Sequence, residues 1–201
     1  MTLAHTPPPT SQVPLRGRRV ALVAPGPALV DEMYALSVSE EVGFRWRFHG
    51  RVVGPDEFAA TLWNDVLTQL VAVRATDGAP VAWLAAYGPN LRDGHARLGI
   101  AAWPEFHGRV STWESVFLFV RYLFANWAFR KLYAEVRAFN LTQFGSGIGK
   151  VFEVEGVLTE HAFHDGRYWD QYVLAVSRAG YDEAVARYAS LFDLPAEASA
   201  T

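Results

Sequence analysis

The stretch GHARLGIAAWPEFHGRVSTWE, residues 94–114, predicts a strand, a loop and the beginning of a helix in close succession. The segment from Gly94 to Trp103 has the pattern of a strand and stops before Pro104. Ser111, with Glu114 three residues later, forms a capping box and predicts a helix N-terminus at Ser111. Because a helix N-terminus offers unpaired amide donors and the positive end of the helix dipole, this junction favours a phosphate ligand.

The elements around this junction predict one α/β domain, a mixed central sheet of about seven strands with helices on both faces. Strands are expected at 19–23, 70–75, 81–87, 94–103, 132–136, 158–163 and 168–176. Helices are expected after Pro27, over 55–66, from Ser111 to between 126 and 129, after Asn140, and over 181–192. The domain is predicted to span 17–194, between a disordered leader at 1–16 and a flexible tail at 195–201.

The composition excludes several classes of function. With 201 residues, 51% of them hydrophobic and 19% charged, the chain has enough apolar surface for a full core. Its formal net charge of −3, without a basic run, argues against a nucleic-acid or membrane-surface binder. The absence of cysteine excludes disulfides, thiolate catalysis and cysteine-based zinc sites, and it fits a cytoplasmic protein.

The loop before the helix contains candidate groups for binding an anion. Gly108 allows the backbone to approach a ligand closely, and Arg109 adds a fixed positive charge. An ordinary strand-to-helix connection with one surface arginine explains the same residues equally well.

A longer ordered set of residues is more specific than this loop. The set comprises 94–100, Pro104 with the following loop, 131–136, Asn140, Phe152 with Glu155-Gly156, Gly166 and Asp170. In this order it resembles the GNAT superfamily of acyl-CoA-dependent N-acyltransferases, within it the branch that includes ribosomal-protein N-terminal acetyltransferases. The resemblance covers 19–178 and implies a GNAT fold that transfers an acyl group, in the first place acetyl, to a primary amine.

The resemblance also implies where acetyl-CoA or another acyl-CoA binds, with no metal involved. The pantetheine arm is expected in a gap between two parallel strands, against the backbone of Ile100, Ala101, Ala102 and Trp103 and the side chain of Asn140. The pyrophosphate is expected on the loop formed by His107, Gly108, Arg109, Val110, Ser111 and Thr112. The glycines in 145–150 favour either a close backbone approach to the donor or local mobility.

The chain departs from the family pattern in this region. Val110 and Thr112 stand where the family has small residues, and β-branched side chains hinder close approach of backbone amides to a pyrophosphate. An acyl group carried on the phosphopantetheine of an acyl carrier protein has no pyrophosphate, so these two residues would weaken its binding least. Gln143 stands where many members of the branch have a serine proposed to protonate the leaving thiolate. A GNAT-fold binding module without turnover is a further alternative.

Acyl transfer to an amine requires a base for the amine and an acid for the thiolate. Glu160 and His161 lie on the penultimate strand, near where the family often places its base, and strand alternation puts Glu160 on the same side as Ala162. We predict Glu160 as the base, with His161 as the second candidate, and Tyr168 as a candidate acid. The alternatives are that Glu160 is only an exposed carboxylate on a strand and that Tyr168 is only a half-buried core tyrosine.

The aromatic and arginine-rich connection FRWRFHG, residues 44–50, is expected to form a wall of the acceptor site. Phe44, Trp46 and Arg47 are the candidate substrate-binding residues, and their chemistry suits an apolar acceptor with an acidic group. A packed loop with solvated arginines explains the pattern as well. The acceptor is expected to be a small molecule or a peptide terminus, and the resemblance is compatible with a homodimer.

Overall fold

A computed structural model describes residues 15–45, 49–145 and 147–192, apart from the side chain of Ala189. Most of the predicted leader and the whole predicted tail lie outside these residues, as do Trp46 and Arg47. Among the described residues, no helix has both the length and the apolar character needed to cross a membrane.

The described chain forms the predicted seven-stranded mixed sheet with five α-helices. The strands are β1 (Val20–Val23), β2 (Val66–Arg74), β3 (Pro80–Asn90), β4 (His95–Ala102), β5 (Lys131–Arg137), β6 (Glu153–His164) and β7 (Arg167–Ser177). The helices are α1 (Pro27–Val38), α2 (Pro55–Thr61), α3 (Val110–Asn126), α4 (Leu141–Phe144) and α5 (Arg178–Phe192). The spatial order is β1-β2-β3-β4-β5-β7-β6, antiparallel except for the pair β4 and β5.

Both faces of the central strands are covered. The segment Val81 to Ala86 of β3 is buried at every position, although its side chains point alternately to opposite faces. On one face Trp83 meets Phe58 of α2 edge-on, with ring centroids 6.1 Å apart. Helices α3 and α5 pack together through Phe117 and Phe192, whose ring centroids are 4.7 Å apart. The sheet is therefore enclosed between helical layers, as the sequence predicted.

The predicted boundary of the second helix is wrong. Helix α2 ends at Thr61, and β2 already begins at Val66, four residues earlier than expected. The chain turns sharply in between, where Asp65 has a positive φ of 56°. The polar residues Thr68 and Gln69 concealed the start of the strand, whose first three residues, 66–68, are half-buried.

The predicted capping box is also wrong. Helix α3 begins at Val110 after Arg109 and has no side-chain cap. The carboxylate of Glu114 is fully buried and accepts hydrogen bonds from the backbone N–H of Arg19, at 2.7 Å, and from its guanidinium, at 3.1 Å. The acid therefore anchors the first strand to α3 and does not cap the helix, whose Thr112 amide donates to the carbonyl of Arg109 at 3.2 Å.

Candidate functional site

Strands β4 and β5 separate along their length. They pair only from His95 with Lys131 to Arg97 with Tyr133, at their N-terminal ends. The other edge of β5 pairs with β7 throughout, from Lys131 with Ser177 to Arg137 with Gln171. Beyond Arg97, the edge of β4 that faces β5 has no strand partner among the described residues. Because backbone amides and carbonyls require hydrogen-bond partners, this edge can receive an extended ligand.

A cavity of about 670 Å³ fills the gap between the two strands. Its walls include the segment 98–102 of β4 and the segment 134–137 of β5. A smaller cavity of about 50 Å³ lies against the first turns of α3 and shares wall residues with the larger one. The shared residues are Ile100, Ala102, His107, Gln143 and Phe144. The gap therefore has open space on both sides of one common wall.

Asn140 ends the segment that follows β5 and lines the larger cavity. It is 9% exposed, and its Oδ1 is buried without a hydrogen-bond partner among the described residues. A buried amide oxygen without a partner is costly, and rotation of the side chain exchanges its donor and acceptor. A ligand that carries amide groups, as pantetheine does, fits this position.

The loop between β4 and α3 provides an uncapped helix N-terminus. Gly108 has a φ of 68°, in the left-handed region that glycine adopts without strain. The side chains of Val110 and Thr112, the two residues that depart from the family pattern, have different surroundings. Val110 is 40% exposed, whereas Thr112 turns its hydroxyl back on the loop and donates to the carbonyl of Phe106 at 2.6 Å. In the described part of the chain no side chain caps the N-terminus of this 17-residue helix, and such a helix start favours an anion.

The predicted donor-binding residues divide between the two cavities and the helix start. Ala101 lines the larger cavity, Gly108 and Thr112 line the smaller one, and Ile100, Ala102 and His107 line both. The imidazole Nε2 of His107 lies 3.0 Å from the carbonyl oxygen of Ala102, so Nε2 carries the hydrogen. Trp103 is buried, and its amide donates to Val81 at 3.0 Å. Arg109, Val110 and Ser111 form the helix start.

The glycine-rich segment after α4 serves packing. A Cβ on Gly147 would lie 2.2 Å from the indole of Trp113, which lines the smaller cavity. Gly149 has a positive φ of 72°. The close approach expected at these glycines is therefore an approach to a side chain of α3, which holds this segment against the donor side of the sheet.

The catalytic candidates on β6 are separated by a bulge. The register of β6 with β7 shifts between Leu158 and Ala162, and Glu160 has a positive φ of 49°. Strand alternation therefore does not determine the side of Glu160, and the prediction that it shares the side of Ala162 loses its basis. The amide of Glu160 donates to the carboxylate of Asp170 at 2.9 Å, which holds the bulge. His161 and Ala162 line the larger cavity, whereas Glu160 is exposed and does not line it.

The tyrosine proposed as acid lies near the tip of the hairpin. Tyr168 is 63% exposed, and its ring packs edge-on against Phe163 with centroids 5.2 Å apart. Of these two residues, Phe163 contributes to the cavity wall. Gln143 lines both cavities and therefore belongs to their common wall.

On the acceptor side, the connection before α2 is fixed to the hairpin by stacked rings. Phe44 stacks on His164 with centroids 4.5 Å apart, and Phe139 lies 4.9 Å from the same imidazole. Trp46 and Arg47, predicted to bind substrate, lie outside the described residues. Sequence reasoning missed Arg137 and His49, both of which line the larger cavity. The position of Arg137 at the end of β5, three residues before Asn140, is the signal that would have identified it.

Arg137 is held in the wall of the cavity. Its Nη2 lies 2.6 Å from Nδ1 of His49, and its Nη1 donates to the carbonyl of Phe44 at 3.3 Å. Because arginine has no acceptor, Nδ1 of His49 is unprotonated. Burial lowers the pKa of Arg137 from its ordinary value.

Comparisons with known proteins identify the fold. No protein-family model and no curated protein matches the chain. A GCN5-related N-acetyltransferase from Brucella melitensis superposes with a TM-score of 0.70 at 21% identity, over 90% of this chain and 86% of that one. The spermidine N-acetyltransferase from Vibrio cholerae, solved with CoA and spermine, gives 0.65 at 18% identity over 81% and 97%. A GNAT-family acetyltransferase from Bacillus anthracis gives 0.66 at 11% identity, over 81% and 97%. The chain therefore has the GNAT fold.

Proposed function

We propose that the protein is an N-acyltransferase that moves an acyl group, in the first place acetyl, from acyl-CoA to a primary amine. The observation that carries the proposal is the gap between β4 and β5, with a cavity of about 670 Å³ and the unsatisfied amide oxygen of Asn140 in its wall. The likeness in fold to acetyltransferases, one of them solved with CoA, supports the same conclusion.

In this proposal the chain binds the donor along β4. The unpaired edge of Ile100 to Ala102 supplies backbone hydrogen bonds to the pantetheine arm, and Asn140 supplies an amide partner from the opposite wall. The uncapped amides at the start of α3 and the charge of Arg109 receive the pyrophosphate. The acyl carbon then lies near the common wall of the two cavities, where the acceptor arrives from the larger one.

The reaction is a direct attack. The amine nitrogen forms a bond to the acyl carbon, the carbon–sulfur bond breaks, the base takes a proton from nitrogen, and the thiolate leaves and gains a proton. Among the predicted bases, we favour His161, because its side chain lines the larger cavity. Glu160 stays the other predicted base, and Tyr168 stays the predicted acid. The side-chain amide of Gln143, which lines both cavities, can donate a hydrogen bond to the developing charge on sulfur.

Two finer points belong to the same proposal. The resemblance to the ribosomal-protein branch adds peptide N-termini to the acceptors worth testing. An acyl carrier protein is the alternative donor, because its phosphopantetheine uses the gap between the strands without requiring the loop at Val110 and Thr112.

The experiment is a thiol-release assay with acetyl-CoA and a panel of amines. Because the chain contains no cysteine, a thiol reagent reports only the CoA that the reaction releases. We expect amine-dependent release by the wild type, and tighter binding of CoA than of pantetheine in calorimetry. Equal binding of the two would favour the carrier-protein donor. Absence of binding by both, with no thiol released, would contradict the proposed function.

A further inference from the structure

Resting on the proposed function, we propose that the acceptor amine also bears a carboxylate, and that Arg45 and Arg137 bind this carboxylate in the larger cavity. Both arginines line that cavity, and neither forms an ion pair with a described carboxylate. The acceptor is then an amino acid or a related amino carboxylate. A polyamine, which carries only positive charge, is excluded from this class.

Arg137 is fixed before any ligand arrives. Two of its nitrogens are engaged by Phe44 and His49, while its Nε is buried without a partner among the described residues. A guanidinium that is already oriented loses little side-chain entropy when it binds an anion. An unsatisfied buried donor also gains a full hydrogen bond from such a ligand.

Arg45 presents a second guanidinium to the same cavity. Its carbon Cζ lies 4.8 Å from the ring centroid of Phe44, so the side chain stacks on an aromatic face. Its Nε, like that of Arg137, is buried without a partner in the described part of the chain. Phe44 therefore links the two arginines, since it stacks with one and accepts a hydrogen bond from the other.

Glu135, an acidic residue of the cavity wall, forms an ion pair with a different arginine, Arg97. Glu135 accepts a hydrogen bond from Arg97 at 2.8 Å and one from Gln171 at 3.4 Å. The hydrogen bond with Glu135, foremost, and the nearby charge of Asp65 raise the pKa of Arg97. Glu135 is thus paired with Arg97, and no ion pair among the described residues joins a wall carboxylate to Arg45 or Arg137, whose charges are therefore available to a ligand.

The rest of the wall defines the body of the acceptor. Trp83, Ala85 and Tyr87 of β3 and Phe163 of the hairpin give it an apolar and aromatic surface. Arg137 lies three residues before Asn140, so the anion site adjoins the proposed donor gap. An acceptor with an apolar side chain, a carboxylate and a primary amine suits these three surfaces.

The test uses pairs of acceptors with and without a carboxylate. Thiol release from acetyl-CoA is measured with free amino acids, with the same amino acids as C-terminal amides, and with spermidine. We expect kcat/KM to be at least about tenfold higher for the acids, the lower end for a hydrogen bond to a charged group. Arg45→Gln should remove this preference and Arg45→Lys should retain part of it. Arg92→Gln, on the exposed β3–β4 turn, is the control that should change nothing. Equal rates with acids and amides, or a preference for spermidine, would overturn the inference and leave the proposed function intact.

A binding measurement separates the two proposals. Calorimetry with 3-phenylpropionate and 3-phenylpropionamide needs no acyl donor and no turnover. If the wild type binds the acid more tightly than the amide and Arg45→Gln does not, the anion site is supported. This holds even if no amine is acylated and the proposed function fails. The inference is overturned if the protein binds the two probes equally, or binds neither, and also transfers no acyl group to an amino acid.

Discussion

Replacing Asn140 with leucine should stabilise the unliganded protein and weaken its binding of CoA. The two effects have opposite signs because the same amide is unsatisfied in the free protein and useful in the complex. Asn140 is 9% exposed, and its Oδ1 has no partner among the described residues. Leucine has the same branched skeleton of side-chain heavy atoms and no polar atom, so it removes that penalty although its methyl groups are larger.

The magnitudes follow from the cost of a buried oxygen. Leaving such a group unsatisfied costs about 1–3 kcal/mol, and leucine recovers part of this, so we expect a gain of roughly 1 kcal/mol. In a domain of this size that gain raises Tm by about 2–4 °C. Loss of one neutral hydrogen bond to the ligand, about 0.5–1.5 kcal/mol, raises the Kd for CoA by about two- to tenfold.

Chemical denaturation measures the first effect and calorimetry with CoA the second. Asn126→Leu is a matched control, because Asn126 is exposed at the end of α3, lines neither cavity, and donates to Tyr122 at 2.8 Å. The control should leave CoA affinity unchanged. A loss of stability in Asn140→Leu with unaltered CoA affinity would show that the amide has only a structural role and would refute the reasoning.

Three further changes test other parts of the structure. Glu114→Gln should lower the free energy of unfolding by about 1–3 kcal/mol, because it removes the charge from a buried carboxylate that accepts two hydrogen bonds; an unchanged denaturation midpoint would contradict this. Gly147→Ala should cost about 1–3 kcal/mol, since its Cβ meets the tryptophan ring on α3, while Gly145→Ala, with ordinary contacts of 3.4 Å, should be nearly neutral; equal effects would disprove the packing role. His161→Gln should lower kcat about a hundredfold or more at unchanged stability, and a loss of that size in Glu160→Gln instead would make the glutamate the base.

The sequence predicted the parts of the fold that local patterns determine. The strand 94–103, the loop after it and the strand that ends before Asn140 were all placed correctly, and the structure separates β4 from β5 between them. Glycine in the left-handed region at Gly108 and the polar residue Asn140 were visible because a single residue type carries each signal.

The predictions from sequence were wrong where contacts with residues distant in the chain determine the local structure. Glu114 has the spacing of a capping residue, but a buried bond to Arg19 is available 95 positions away and takes precedence. Strand alternation put Glu160 on the same side as Ala162, but a bulge that involves the carboxylate of Asp170, ten residues away, interrupts the alternation. The arginine pair at the cavity emerged only from the fold, because Arg45 and Arg137 are remote in sequence and meet through Phe44.

The most direct test of the account is a crystal structure of the protein grown with CoA. We predict the pantetheine arm between β4 and β5, hydrogen-bonded to the edge of Ile100 to Ala102 and to Asn140, with its pyrophosphate at the first amides of α3. A complex in which CoA binds elsewhere while the space between these two strands holds only water would contradict it.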